Sequence, residues 1–147
     1  MKIISGAQTG VDRGALDAAL ELGLSCGGTV PRGRRAEDGR VPERYPVTEG
    51  VSAQYPERTE RNVVDADATL ILSAGEPSGG TLLTLELAKR HGRPFCVVDP
   101  REAQAAQKVR TFLERERPAV LNVAGPRESS QPGAQKITCA LLIEVLR

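Results

Sequence analysis

"KIISGAQTGVDRGALDAALELG", residues 2–23, decides the fold. The apolar pair Ile3-Ile4 predicts a buried strand, and apolar residues at helical spacing predict a helix over 12–22 that Gly23 ends. Between the two elements, residues 5–14 contain three glycines, an acid and an arginine. The stretch is therefore a strand, a glycine-rich loop and a helix.

The same alternation continues along the chain. Apolar runs at 24–30, 69–73, 95–98 and 119–123 predict further strands, and helical patterns cover about 57–65, 81–90, 101–115 and 133–146. Strands and helices in this order form right-handed βαβ units with a parallel sheet covered on both faces. We therefore expect one α/β domain over 1–147, a three-layer Rossmann-like sandwich with a parallel, doubly wound sheet of about five strands.

Composition excludes several classes of protein. The net charge is +1, and two Phe, two Tyr and no Trp leave few rings for base stacking, so no nucleic-acid surface is expected. No apolar stretch is long enough for a membrane helix. Three dispersed cysteines and one histidine, His91, fit neither a zinc site nor a disulfide framework, which favours a reducing cytoplasm.

The candidate site lies where four strands end. In a parallel sheet ligands bind outside the carboxyl ends of the strands, and the loops 6–13, 31–35, 73–81 and 122–129 all follow predicted strands. Glycine lets the backbone approach a ligand, and amides at helix N-termini attract negative charge. Arg13, Arg34, Arg35 and Arg127 are suited to bracket an oxyanion.

Catalytic chemistry has less support in the sequence. The first loop matches neither the dinucleotide fingerprint nor the phosphate loop, which needs a lysine that is absent here. Asp12, Asp38 and Glu128 have the chemistry for acid–base or metal work, but a helix start or a turn explains such acids equally well. The irregular segment 32–56 is long enough to be a lid or a binding loop.

Five stretches taken together resemble the bacterial molybdenum carrier family. They are SGAQTGVDRGALDAAL, PRGRRAEDGRVPERYPVTE, YPERTERNVVDADATLIL, GGTLLT and LNVAGPRES, and they follow one another from end to end of the chain. Members resemble molybdenum-cofactor carrier proteins and share a Rossmann-like superfamily with lysine-decarboxylase-like phosphoribohydrolases. The resemblance implies homo-oligomers and a pocket for the molybdenum cofactor (molybdopterin) or molybdate, with molybdoenzymes or cofactor-synthesis proteins as partners.

The resemblance also implies which residues line that pocket. They are Gly6, Gln8, Thr9, Gly10, Asp12, Arg13, Gly33, Arg34, Arg35, Arg58, Thr59, Asn62, Gly79, Gly80, Thr81, Gly125, Pro126, Arg127, Glu128 and Ser129. One position departs from the family: a second glycine is usual where Ala7 stands, and we expect alanine to fit only with a negative φ.

Three functions follow from these observations. The first is a carrier that holds the cofactor or molybdate without transforming it. The second is a phosphoribohydrolase-like enzyme, although Thr84 stands where those relatives place a glutamate and the first acid of that helix is Glu86. The third is a module that binds or senses a nucleotide derivative.

Overall fold

Strands and helices alternate along the chain as the sequence predicts. A computed structural model describes all of residues 1–147. Its elements are, in order, β1 (Lys2–Ile4), α1 (Val11–Leu22), β2 (Ser25–Gly27), β3 (Thr29–Val30), β4 (Arg35–Ala36), β5 (Gly39–Arg40), β6 (Thr48–Glu49), α2 (Tyr55–Asp65), β7 (Ala68–Leu72), α3 (Gly79–Arg90), β8 (Phe95–Val98), α4 (Ala105–Glu116), β9 (Val120–Ala124) and α5 (Ala134–Leu146).

The central sheet is parallel throughout, with strand order β2-β1-β9-β7-β8. Helix α5 packs against α1 and α4, whereas α2 packs against α3. The three-layer α/β fold is thus confirmed. The last strand, β9, lies in the middle of the sheet. If β9 is numbered as the first strand and the numbering then continues at β1, the strand order across the sheet is 3-2-1-4-5. This is the doubly wound arrangement, in which the strand order reverses between β9 and β7.

Most helix boundaries agree with the sequence to within two residues. Helix α1 ends where Gly23 takes a left-handed conformation with φ 70°, and His91 caps the C-terminus of α3. Helix α4 is the exception, because it begins at Ala105 although the helical pattern begins near Arg101. Residues 99–104 form turns, in which the Asp99 carboxylate accepts the Arg101 amide hydrogen at 2.9 Å.

The predicted second strand, 24–30, is wrong as a single element. Gly28 breaks it with φ 129°, and a Cβ there would lie 2.9 Å from the backbone nitrogen of Ser5. The break sends β2 into the central sheet and β3 into a two-stranded parallel pair with β6. Only glycine combines that φ with that close approach.

The segment 32–56 contains more regular structure than its sequence indicates. It holds the antiparallel hairpin β4–β5 and strand β6, and α2 begins two residues before the predicted start. A small cluster of Ala7, Leu16, Val30, Val41 and Tyr45 anchors this segment to the first loop and α1.

The main core lies between the sheet and the layer formed by α1, α4 and α5. It includes Ile3, Leu70 and Leu121 from the strands and Phe112 and Leu142 from the helices, all buried. No helix is both long enough and apolar enough to span a membrane.

Candidate functional site

A polar cavity of about 390 Å³ opens at the carboxyl ends of β1, β9 and β7. It lies at the reversal of strand order, where doubly wound sheets bind ligands. Its lining residues are Gln8, Asp12, Arg58, Thr59, Ser73, Glu76, Ser78, Gly79, Gly80, Thr81, Thr84, Ala124, Gly125, Pro126, Arg127, Ser130 and Gln131.

Half of the residues named from the sequence line this cavity. These are Gln8, Asp12, Arg58, Thr59, Gly79, Gly80, Thr81, Gly125, Pro126 and Arg127. The others lie beside the cavity or away from it: Gly6, Thr9, Gly10, Arg13, Gly33, Arg34, Arg35, Asn62, Glu128 and Ser129. The four edge loops therefore contribute unequally, and the loop 31–35, which follows β3, contributes nothing to the lining.

The floor of the cavity is an Asp12–Arg58 pair that Gly6 makes possible. Nη1 of Arg58 lies 3.8 Å from Oδ2 of Asp12. A Cβ on Gly6 would overlap the guanidinium, lying 2.6 Å from the Arg58 Cζ and 3.0 Å from that same carboxylate oxygen. Gly6 is needed for this close approach, and its absence from the lining is a consequence of the arginine that covers it.

Burial dominates the electrostatics of this pair. Burial raises the pKa of Asp12 to about 6, although Arg58, the Gln8 amide and Arg127 oppose the shift. Burial also lowers the pKa of Arg58, and Asp12 opposes that shift. Nε of Arg58 is buried with no hydrogen-bond partner. A buried donor without an acceptor costs free energy, so this N–H is available to an anion.

The N-terminus of α3 forms the wall opposite the first loop. Its cap residue, Ser78, makes no side-chain hydrogen bond to the helix, and its carbonyl accepts only the amides of Thr81 and Leu82, at 3.1 and 3.2 Å. The amides of Gly79 and Gly80 donate to no protein acceptor. Free amides at the positive end of a helix dipole are a binding site for negative charge.

Arginines gather around the ring of Tyr55 at the start of α2. The guanidinium carbons of Arg127, Arg35 and Arg58 lie 4.7, 4.8 and 5.7 Å from the ring centroid. The ring holds the cations in place by cation–π attraction without neutralising them. Tyr55 was not identified from the sequence, where its pair with Pro56 indicates only a turn.

Arg13 and Arg34, both expected to bracket an anion, hold the polypeptide together. Arg13 donates to the Ala7 carbonyl at 3.0 Å and forms two hydrogen bonds with the Asp38 carboxylate, at 2.6 and 2.9 Å. Arg34 donates to the carbonyls of Val41, Pro42 and Tyr45 at 3.0, 2.7 and 3.2 Å. Because these donors are already satisfied and neither residue lines the cavity, the expectation for both arginines needs correction.

Further predicted residues have structural partners of their own. The Glu128 carboxylate accepts the amides of Gly133 and Gln135 at 2.5 and 3.0 Å and so caps α5. The Asn62 side chain bonds both the amide and the carbonyl of Thr29, at 2.8 and 3.0 Å. The Gly33 amide donates to Glu49 at 2.6 Å. These partners explain why the three residues lie outside the lining.

Thr9 and Ser129 both bind Glu37, a residue to which the sequence assigns no role. The Thr9 hydroxyl donates to one carboxylate oxygen, and Ser129 donates to the other at 2.7 Å. The bond from Thr9 and then that from Ser129 hold the pKa of Glu37 below its usual value. Thr9 also accepts the Glu128 amide hydrogen at 3.2 Å. This clamp joins the first loop, the β4–β5 hairpin and the last loop beside the cavity.

The expectation that Ala7 keeps a negative φ is wrong. Its φ is 54°, and its methyl group is fully buried in the cluster with Leu16 and Tyr45. A left-handed alanine is strained, so burial of the methyl group and the Ser5 hydroxyl, which accepts the Ala7 amide hydrogen at 3.2 Å, must hold it there. The loop therefore holds position 7 in a left-handed conformation without a glycine.

Gln131 is a lining residue that sequence analysis missed. Its amide group bonds both the nitrogen and the carbonyl oxygen of Ala74, at 3.1 and 3.0 Å, and so ties the loop after β9 to the loop after β7. An isolated glutamine between Ser130 and Pro132 carries no sequence signal for such a role.

A second cavity, of about 500 Å³, lies between β6 and α2, away from the strand ends. It shares Arg58 with the first cavity, but three carboxylates, Glu49, Glu57 and Glu60, line it. Repulsion from these carboxylates disfavours an anion there. The first cavity is therefore the candidate site.

Comparisons with known proteins agree with the fold and its permuted strand order. Residues 3–146 match the model of the circularly permutated YpsA SLOG family. A crystal structure from Syntrophus aciditrophicus SB, named "Putative molybdenum carrier protein", is 43% identical, with a TM-score of 0.95, 99% of this chain covered and 94% of that one. No curated protein matches the chain.

Proposed function

Since the chain belongs to the circularly permutated YpsA SLOG family, we propose that it is a carrier that binds a small molybdenum-containing anion, the molybdenum cofactor or molybdate, in the cavity at the switch point. The 43% identity to a protein named a molybdenum carrier supports the molybdenum assignment. The proposed mechanism is recognition rather than reaction, in a cytoplasmic protein.

The observation that carries this proposal is the set of free donors on the cavity walls. The Arg58 Nε and the amides of Gly79 and Gly80 have no acceptor in the protein, and these three residues line the cavity. Each of these donors can bond an oxygen atom of an anion that enters the cavity. Arg127 adds a further positive charge beside them.

This donor set also indicates how molybdenum would be held. No three His, Cys, Asp or Glu side chains converge in a way that suits a metal ion. The free donors named above are N–H groups, which bind the oxygen atoms of molybdate or of a phosphate and not the metal itself. The residues present therefore fit an oxyanion or a phosphorylated cofactor.

A second candidate function is hydrolysis of a nucleotide, as in the phosphoribohydrolases. The observation that favours it is Asp12, a buried carboxyl on the cavity whose pKa lies near the working range of a general acid. Against it, Thr84 occupies the position of the relatives' glutamate, and its hydroxyl is bonded to the Gly80 carbonyl at 3.0 Å. Release of free base from nucleoside 5′-monophosphates is the test, and Asp12→Asn should abolish it.

The carrier proposal is tested with Gly80→Ala. A Cβ at Gly80 meets no protein atom within 4 Å, so it fills cavity space alone. Alanine in the first turn of α3 should raise the free energy of unfolding by up to about 1 kcal/mol. If an anion contacts this amide, the same methyl group should weaken its binding by about tenfold or more.

Calorimetry with molybdate and with phosphate-bearing compounds measures that effect, and elemental analysis of protein from molybdate-fed cells measures molybdenum content. The matched control is Glu86→Ala, a change at an exposed residue later on α3 that does not line the cavity. Binding that survives Gly80→Ala, or wild-type protein that binds none of the probes and contains no molybdenum, contradicts the proposal.

A further inference from the structure

One side chain that lines the cavity, Gln8, presents a hydrogen-bond acceptor, which does not suit an anion. Gln8 is 2% exposed and lines the cavity, and its side-chain oxygen Oε1 is buried without a hydrogen-bond partner. Its side-chain nitrogen donates to the carbonyls of Arg35 and Gly6, at 3.0 and 3.4 Å. Because the two carbonyls require the nitrogen on their side, the oxygen is the free end.

Asp12 places a second acceptor beside Gln8. Its Oδ2 accepts the Gln8 backbone amide at 3.3 Å and faces Arg58, whereas its Oδ1 accepts no hydrogen bond from the protein. Gln8 belongs to the loop after β1 and Asp12 to the first turn of α1, and both line the cavity. This side of the cavity therefore offers two neighbouring acceptor oxygens, Gln8 Oε1 and Asp12 Oδ1, that accept no hydrogen bond from the protein.

The acceptors and the free amides of α3 follow strands that are not neighbours in the sheet. Strand β9 separates β1, which carries Gln8 and Asp12, from β7, which leads into α3. Two strand spacings amount to about 10 Å. A tetrahedral oxyanion bound at the amides leaves the acceptors unsatisfied, and its own oxygen atoms are repelled by them.

We infer that the ligand is a two-part molecule: a phosphate at the α3 amides, joined to a heterocycle whose ring N–H and neighbouring amino group donate to Gln8 Oε1 and Asp12. This inference rests on the proposed function, because it assumes the same cavity and the same anion-binding wall. Guanine nucleotides and pterin phosphates share that 2-amino-4-oxopyrimidine edge. Bare molybdate and phosphate do not possess it.

Calorimetry with four probes tests the inference on the wild-type protein. Guanosine 5′-monophosphate and 6-hydroxymethylpterin phosphate carry the donor edge, purine riboside 5′-monophosphate has the same sugar and phosphate as the first without it, and molybdate has only the anion. We expect one or both donor-bearing probes to bind at least about tenfold more tightly than purine riboside 5′-monophosphate. If only one of the two binds, it shows whether the heterocycle is a guanine or a pterin.

Two variants locate the recognition. Gln8→Met, close in shape but without an acceptor or donor, should remove most of that preference. Asp12→Asn puts a donor where the carboxylate accepts and should reduce the same preference even if Gln8→Met does not fold. Glu86→Gln, at an exposed acid of α3 that does not line the cavity, is the matched control and should leave the preference unchanged.

The possible failures are distinguishable. Equal binding of the two nucleotides, binding of molybdate alone, or equal weakening of both nucleotides by Gln8→Met overturns the inference and leaves the carrier proposal standing. Binding of none of the four probes overturns both.

Discussion

Arg34 and Arg58, in the part of the chain between β3 and β7, expose only 8% and 15% of their side chains, yet their surroundings differ. Arg34 donates to the carbonyls of Val41, Pro42 and Tyr45. Arg58 faces one carboxylate at 3.8 Å, and its Nε has no partner. A buried arginine whose donors are satisfied stabilises the fold, whereas one with a free donor beside a cavity is available to a ligand.

The largest effect is expected from Arg34→Ala. The change removes three hydrogen bonds, leaves the buried Val41 carbonyl without a donor and empties the space of a buried side chain, so it should lower the free energy of unfolding by about 3–4 kcal/mol. Urea denaturation measures the loss, and anion binding by the protein that remains folded should be unchanged. Arg40→Ala, at an exposed arginine with 59% side-chain exposure, is the control and should cost less than about 1 kcal/mol. A stable Arg34→Ala protein with weakened anion binding would contradict this prediction, because Arg34 would then serve the ligand and not the fold.

A somewhat smaller effect concerns the acid that faces Arg58. The pKa of Asp12 is about 6 in the folded protein, above 3.8, so its protonated form favours folding. This contribution is complete below pH 3.8 and is lost as the pH rises through about 6, an expected decrease of about 2–3 kcal/mol.

Denaturation of the wild type and of Asp12→Asn between pH 4 and pH 8 measures this contribution. Asp12→Asn should remove that part of the pH dependence, and Asp65→Asn, at an exposed acid paired with Arg61 at 3.7 Å, should retain it. If the free energies of unfolding of the wild type and of Asp12→Asn change with pH in parallel, the ionised carboxylate of Asp12 does not destabilise the fold.

Gly6→Ala should weaken anion binding with only a small loss of stability. The new methyl group must displace the Arg58 guanidinium, which is the flexible end of a side chain, so the free energy of unfolding should fall by only about 1 kcal/mol. Loss of the positioned arginine should weaken anion binding by about tenfold. Calorimetry with molybdate and guanosine 5′-monophosphate measures this, and unchanged affinity would show that the ligand does not contact Arg58.

The smallest effect is expected from Ala7→Gly, in the region that Arg34 stabilises. Glycine relieves about 1 kcal/mol of left-handed strain and loses a buried methyl group of similar value, so the net change should lie within about 1 kcal/mol. Ala15→Gly, at a fully buried position inside α1, has no strain to relieve and should cost about 2 kcal/mol. Equal losses in the two variants would mean that φ at Ala7 carries no strain.

The sequence predictions were accurate where local interactions decide the structure and failed where contacts between distant segments decide it. Residues 2–23 and the alternating runs after them predict the α/β class and most helix boundaries, because local periodicity determines which face of each element is buried. The division of 24–30 at Gly28 was missed, because it depends on the approach of Ser5. The same holds for Glu37, whose two hydroxyl partners come from distant loops.

By itself, then, the sequence determined the alternating elements and the glycine-rich loops at the strand ends, and it predicted an anionic ligand. Only the tertiary structure decided that β9 lies between β1 and β7, that Arg13 and Arg34 are bound to the protein's own acceptors, and that Arg58 and Gln8 keep free groups on the cavity. The physical reason is that the pattern of residue types is local, whereas the burial and hydrogen-bond partners of a side chain depend on segments far apart in the chain.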